Sequence, residues 1–184
     1  MWDHFNRHLS LVANNLGVLL EDADRPEEAY ATYDLARSME SNNLSALLNQ
    51  YAMIQRGYPA ADATAVTNRL AELEVESLSS YNIWGLARHY GYVRSPGAFA
   101  AMGWTWALSG HPGLAVSGLK RALDLAKKMD ISDQVDAPLA ALYYDQGMPE
   151  ESRKIYLRML DKNRMDVRAL LGMAAACAYM TLMG

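Results

Sequence analysis

The sequence contains few of the residues that build disulfides, metal clusters and nucleic-acid surfaces. Cys177 is the single cysteine, which excludes an intramolecular disulfide and a cysteine-ligated metal cluster. It lies in a run of alanines, which predicts a buried thiol. The formal net charge is -4 and the first lysine is Lys120. The chain therefore lacks the basic surface that is typical of nucleic-acid-binding proteins.

Signal peptides and membrane spans are also missing from the sequence pattern. The first five residues, Met-Trp-Asp-His-Phe, do not form a basic region followed by an apolar core. The most apolar stretch, residues 169–184, is uncharged, but it is shorter than the roughly 18–20 residues that a membrane span needs. We expect no membrane insertion. The compartment stays unknown, with the cytoplasm as the default.

The composition favours helices over sheets. The hydrophobic fraction is 51%, it is dominated by Ala, Leu and Met, and only two Phe are present. Residues with β-branched side chains, which favour strands, are sparse. At 184 residues the chain is long enough for one domain or one compact repeat array.

A helix-turn-helix pattern spans residues 96–122. One face of its first helix carries Phe99, Met102, Gly103 and Trp106, and one face of its second helix carries Ala115, Leu119 and Ala122. A glycine inside a helix costs about 1 kcal/mol relative to alanine. That cost is reasonable where two helices approach closely, so we expect the pair to meet at Gly103 and Ala115.

The same pattern recurs before and after this hairpin. The earlier copy reads Ala13, Leu16, Gly17, Leu20, Ala29, Tyr33 and Ala36, and the later copy reads Leu139, Ala140, Tyr143, Ser152, Tyr156 and Met159. Pro26, Pro112 and Pro149 hold the same offset in the three copies. The residues of these three copies resemble the signature of the tetratricopeptide repeat (TPR). In the first helix, we expect Leu9, Ala13, Leu16, Gly17 and Leu20 to form the inner stripe.

The resemblance implies an all-α fold, a right-handed superhelical stack of antiparallel helix pairs. We expect a single repeat domain over residues 1–184. Its units are 10–43, 44–77, 96–129 and 133–163, with a terminal half-repeat at 167–183. Pro59 and Pro112 lie 53 residues apart, against roughly 34 for one repeat. An irregular or extra helix is therefore expected near residues 78–93.

The resemblance also implies a concave groove, lined by the first helix of each pair, that binds peptides or partner helices. The expected groove residues are Asn14, Val18, Asn49, Met53, Arg56, Trp104 and Tyr144. Asparagine can clamp a peptide backbone because its amide both donates and accepts hydrogen bonds. Trp104 and Tyr144 suit an apolar anchor. Lysine is absent from these helices, so an apolar or amphipathic partner is favoured over an acidic one.

Catalytic patterns are scarce. His4 and His8 have the helical spacing of two metal ligands, but no third ligand lies nearby in the sequence. His89 lies among Trp84, Arg88 and Tyr90, where the pattern favours a packed or surface histidine over a groove histidine. No glycine-rich phosphate loop and no nucleophile elbow occur. We expect no enzyme activity, no cofactor and no bound metal.

The last helix suggests a second class of function. Its final turns carry Tyr179, Met180, Leu182 and Met183, whereas the terminal repeat of an array usually has a polar outer face. That apolar end indicates either a piece of a longer array or self-association, with a homodimer possible through this helix. A peptide-binding scaffold and an assembly module therefore stay open as alternatives.

Overall fold

A computed structural model describes residues 2–76, 83–129 and 133–183 of the chain. Within those ranges every regular element is an α-helix. The helices are α1 (Trp2–Asp22), α2 (Pro26–Met39), α3 (Leu44–Gln55), α4 (Ala63–Glu76), α5 (Ile83–Tyr90), α6 (Pro96–Leu108), α7 (Pro112–Lys128), α8 (Asp133–Asp145), α9 (Pro149–Lys162) and α10 (Val167–Met183). In this part of the chain, no helix is both long and apolar enough to cross a membrane.

The helices form two compact units. In the N-terminal unit, Met1–Arg94, α1 packs on α2, α2 on α3 and α3 on α4, while α5 packs on both α1 and α3. In the C-terminal unit, Ser95–Gly184, each helix from α6 to α10 packs on the next. Short turns between packed neighbours make each pair antiparallel. The predicted all-helical stack of pairs is confirmed, and α5 is the predicted extra helix; residues 78–82 of that prediction lie outside the described residues.

Four turns share one backbone geometry. The second residue after the first helix of each pair has positive φ, at Asp24 (61°), Gly57 (91°), Gly110 (77°) and Gly147 (68°). The next residue then donates its backbone N–H to a carbonyl five residues earlier, as in His111 to Trp106 at 2.9 Å and Tyr58 to Met53 at 3.0 Å. This is the hydrogen bond of a Schellman helix end. The irregular turn at Pro59 therefore closes α3 in the ordinary way, although α4 begins only at Ala63.

Proline begins the second helix in three of the pairs. Pro26, Pro112 and Pro149 are each the first helical residue of α2, α7 and α9. Proline is well tolerated there because the first turn has no partner for its N–H group. Two acids follow Pro26 and Pro149 in the first turn, where the helix dipole favours negative charge.

Glycines permit the close helix contacts inside the pairs. A Cβ on Gly103 would lie 2.8 Å from Cγ of Leu119 and 3.1 Å from the carbonyl oxygen of Ala115. A Cβ on Gly17 would lie 2.5 Å from the ring of Tyr33. The predicted contact between Gly103 and Ala115 is confirmed. The sequence pattern did not single out Gly118, whose added Cβ would lie 3.1 Å from Cα of Gly103.

The inner face of α1 differs from the predicted stripe. Ala13 and Gly17 are buried as expected, but Leu9 and Leu16 are 37% and 49% exposed. The buried face instead carries Ser10, Asn14, Val18 and Glu21. The expectation was wrong because the spacing of apolar residues does not show which polar side chains find partners in the interior. Here such polar side chains occupy the buried face of the helix. Cys177 was expected to be buried, but it is only half-buried.

Candidate functional site

The residues that follow α5 occupy the space between α1 and α3 of the N-terminal unit. We call residues 91–94, Gly-Tyr-Val-Arg, the strap. Its backbone hydrogen-bonds to side chains of both helices: Ser45 Oγ to Gly91 O (2.8 Å), Asn14 Nδ2 to Tyr92 O (3.0 Å), Asn49 Nδ2 to Tyr92 O (2.9 Å), Tyr92 N to Asn15 Oδ1 (2.8 Å) and Arg94 N to Asn49 Oδ1 (2.7 Å). These five hydrogen bonds hold the strap through its main chain.

Asn49 is the central clamp of the strap. Its amide donates to the carbonyl of Tyr92 and accepts from the N–H of Arg94, so it binds the backbone on both sides of one residue. It also donates to Oδ1 of Asn14 at 3.0 Å. Asn49 is 1% exposed and Asn14 is fully buried. Buried amides need such partners because an unmatched polar group costs about 1–3 kcal/mol.

The side chain of Arg94 reaches a buried acidic pocket. Its guanidinium donates to Glu21 Oε1 (2.7 Å) and Asp22 Oδ1 (2.7 Å) at the end of α1. The side chains of Arg94 and Glu21 are 7% and 8% exposed. Arg56, at the end of α3, donates to the same Glu21 oxygen. The two guanidinium groups balance the two carboxylates, as buried charges require.

Tyr33 of α2 completes this pocket. Its hydroxyl donates to Glu21 Oε2 at 3.0 Å, and its ring packs against Gly17. Burial raises the pKa of Tyr33 far above its ordinary value of 10.0, and the negative charge of Glu21 raises it further. The phenol therefore stays protonated in the folded protein over the whole neutral and mildly alkaline range.

This shift in pKa predicts a loss of stability at alkaline pH. Above pH 10 the unfolded chain releases the Tyr33 proton and the folded chain keeps it, so the unfolded state is favoured. The free energy of unfolding should then fall by about 1.4 kcal/mol per pH unit from this residue. We expect Tyr33→Phe to be less stable at neutral pH but to lose less stability above pH 10, as measured by urea unfolding at each pH. Equal slopes for the two proteins would contradict this prediction.

Gly91 is a strict requirement of the strap. Its φ is +90°, and an added Cβ would lie 2.5 Å from Oδ1 of Asn15 and 2.6 Å from Nδ2 of Asn14. A side chain at this position would meet both the wrong backbone conformation and the clamping amides. A glycine directly after the helical pattern of residues 81–90 was the one sequence signal for this segment.

The seven predicted groove residues lie in different environments. Asn14, Val18, Asn49 and Met53 are 0–3% exposed inside the N-terminal unit. Arg56 has a side chain 36% exposed and pairs with Glu21. Trp104 is 37% exposed on α6, and Tyr144 of α8 is half-buried with its ring 5.7 Å from that of Tyr179. Partner binding by these residues stays a prediction.

In the C-terminal unit, the exposed side of α6 is apolar and includes the predicted groove residue Trp104. Leu108 lies one turn after Trp104 on the same face and is 85% exposed. No residue from Pro96 to Leu108 is charged. Large apolar side chains that remain exposed on an uncharged helix are typical of interaction surfaces.

Histidines provide little basis for chemistry. His4, His8, His89 and His111 are exposed, and the ring of His111 contacts that of Trp106 edge-on with centroids 5.4 Å apart. Across residues 2–76, 83–129 and 133–183, no group of three or more His, Cys, Asp or Glu side chains is arranged to hold a metal ion.

Comparison with known proteins gives matches in structure only. No protein-family model matches the chain, and no curated protein matches its sequence. One similar solved structure is a thermophilic TPR protein of Thermus thermophilus, with 17% identity, a TM-score of 0.44, and coverage of 92% of this chain and 99% of that one. Another is an assembly chaperone of RpL4, with 14% identity, a TM-score of 0.47, and coverage of 96% and 85%.

The fold is TPR-like. The helix pairs themselves support this assignment. Four of them end the first helix in the Schellman turn, three begin the second helix with proline, and two, α1 with α2 and α6 with α7, have a close glycine contact. A TPR-like array presents its first helices along one face. In the N-terminal unit, the first helices α1 and α3 hold the strap between them.

Proposed function

We propose that this protein is a non-catalytic TPR-like scaffold that binds a protein or peptide through α6 and α8 of its C-terminal unit. The observation that carries this proposal is the strap. The amide groups that would clamp a foreign peptide between α1 and α3 are already bonded to the backbone of Tyr92 and Arg94. Trp104 and Leu108 keep their exposure and remain available to a partner.

The chemistry of α6 favours an apolar or amphipathic segment as the ligand. A tryptophan and a leucine one turn apart suit the apolar face of a partner helix or the side chains of an extended peptide. The lack of charge on α6 offers no pairing for an acidic tail. Aromatic anchors of this kind dominate the binding energy at many interfaces.

Capture of partners from a lysate of the source cell tests the proposal. The double substitution Trp104→Ser with Leu108→Ser removes the exposed apolar surface and should weaken retention of the bound protein by about tenfold or more, since truncating an interface anchor costs about 2 kcal/mol or more. Leu157→Ser, at a 38% exposed position of α9, is the matched control and should retain the same protein.

The retention assay tests the proposal only if the substitutions leave folding unchanged. Thermal unfolding of the three proteins should agree, because all the substituted side chains are partly exposed. Equal retention by wild type and by the Trp104/Leu108 variant would contradict the assignment to α6.

The exposed face of α10 supports assembly as a second candidate function. Leu171 and Leu182 are 68% and 84% exposed on this helix. Under this alternative, Leu171→Glu with Leu182→Glu converts an associated protein to a monomer in sedimentation velocity. A wild-type protein that sediments as a monomer at high concentration would contradict it.

A further inference from the structure

The outer side of α1 carries an exposed apolar stripe. Its residues and exposures are Phe5 (54%), Leu9 (37%), Val12 (60%), Leu16 (49%) and Leu19 (59%). The spacing alternates between four and three residues, which is the repeat of the a and d positions in a coiled coil. The opposite side of α1 is buried through Ala13, Gly17 and Val18. The helix therefore has a buried inner face of mixed polarity and an exposed apolar outer face.

The stripe also lacks the charges of an ordinary solvent-facing helix. Residues 8–20 contain no Asp, Glu, Lys or Arg. A helix that turns one face to water normally places charged side chains there. The positions that flank the stripe are occupied by neutral amides such as Asn6 and Asn15, and by His8. A second helix could approach this surface without placing like charges opposite each other.

The order of the stripe residues makes it complementary to a reversed copy of itself. In an antiparallel pair, each a position packs against a d position of the other helix. With a two-fold axis that crosses α1 between Ser10 and Leu11, Phe5 faces Leu16 of the copy and Leu9 faces Val12 of the copy. Each contact then occurs twice, as a two-fold interface requires. The antiparallel alignment also places the unlike ends of the two helix dipoles together.

We propose that α1 pairs with α1 of a second copy of this chain in this antiparallel register. The surface belongs to the N-terminal unit, whereas the α6 face of the proposed function and the α10 face of the alternative belong to the C-terminal unit. Five side chains per partner are fewer than the roughly 20–30 residues a side of a stable interface. The dimer is accordingly weak, and its population rises with protein concentration.

Sedimentation equilibrium over a micromolar-to-millimolar series tests self-association. The wild-type protein should show a concentration-dependent dimer. Val12→Glu with Leu16→Glu should remain a monomer, with dimerisation weakened by about a hundredfold or more, because the dimer would bury four carboxylates without partners. The α10 variant Leu171→Glu with Leu182→Glu is the control and should dimerise like wild type. Both variants change exposed side chains, so circular dichroism should show unchanged helix content.

Cysteine cross-linking tests the register. In a Cys177→Ala background, Leu9→Cys and Val12→Cys proteins are prepared separately and oxidised alone or as a mixture. The antiparallel register predicts a disulfide dimer mainly in the mixture, since residue 9 faces residue 12 of the copy. Efficient dimers from either protein alone would indicate a parallel pair and overturn the proposal. A wild type that stays monomeric, or a dimer lost in the α10 variant and kept in the α1 variant, would also overturn it.

Discussion

Replacing Arg94 with methionine is expected to destabilise the protein by about 3–5 kcal/mol, the range measured when one partner of a buried ion pair is removed. Methionine keeps most of the length of the side chain and removes its charge. Glu21 is then left in a site where it is 8% exposed, with Arg56 as its remaining cation, while Asp22 loses its guanidinium partner. Urea unfolding followed by circular dichroism measures the loss.

The matched control for this substitution is Arg56→Met. Arg56 binds the same Glu21 oxygen, but its side chain is 36% exposed, so water replaces part of the lost interaction. We expect a cost of about 1 kcal/mol or less for that variant. If the two substitutions cost the same, the pocket around Glu21 is more hydrated than the contacts of Arg94 indicate, and the prediction fails.

Replacing Asn49 with alanine is expected to destabilise the N-terminal unit by about 3 kcal/mol, because several buried polar groups lose partners together. The N–H of Arg94 loses its acceptor, and Oδ1 of Asn14 loses its donor. The carbonyl of Tyr92 keeps the hydrogen bond from Asn14. The strap should therefore detach more often than in the wild-type protein, even under conditions where the helices remain folded.

Limited proteolysis with trypsin detects this detachment. Trypsin cleaves after arginine, and Arg94 is buried in the native strap. When opening is fast compared with cleavage, the rate follows the population of the open form. A change of about 3 kcal/mol corresponds to roughly a hundredfold faster cleavage after Arg94.

Asn42→Ala is the control for Asn49→Ala. Asn42 is exposed, and its side chain accepts one hydrogen bond from Arg69 at the surface. Cleavage after Arg94 should be unchanged in that variant. An Asn49→Ala protein that is cleaved no faster than Asn42→Ala would show that the strap is held by other contacts.

The sequence predicted the chemistry of the candidate site, but not which backbone segment its side chains bind. Asn14 and Asn49 were expected to clamp a peptide backbone, and the Asn49 amide does bond a backbone N–H and a backbone carbonyl. The backbone belongs to the chain's own strap. An asparagine in a sequence shows its capacity to donate and accept, but not which of many backbone segments lies within hydrogen-bonding distance of it.

The helix pairs were determined by the sequence because their signals are local. Pro112 begins a helix, a positive-φ residue such as Gly110 ends one, and Gly103 meets Leu119 only 16 residues later. Each of these signals acts over a short stretch of chain, so that residue identity and spacing are enough to read it.

Only the tertiary structure decided which faces of α1 are covered and where the strap lies. The contact of Asn14 with Tyr92 joins residues 78 positions apart, and that of Arg94 with Glu21 joins residues 73 apart. No periodicity connects such positions, and the apolar spacing of Leu9 and Leu16 suits a buried face as well as the exposed one they occupy. Burial of paired polar groups decided which face of α1 is covered. The free energy of that burial depends on partners that only the folded chain brings together.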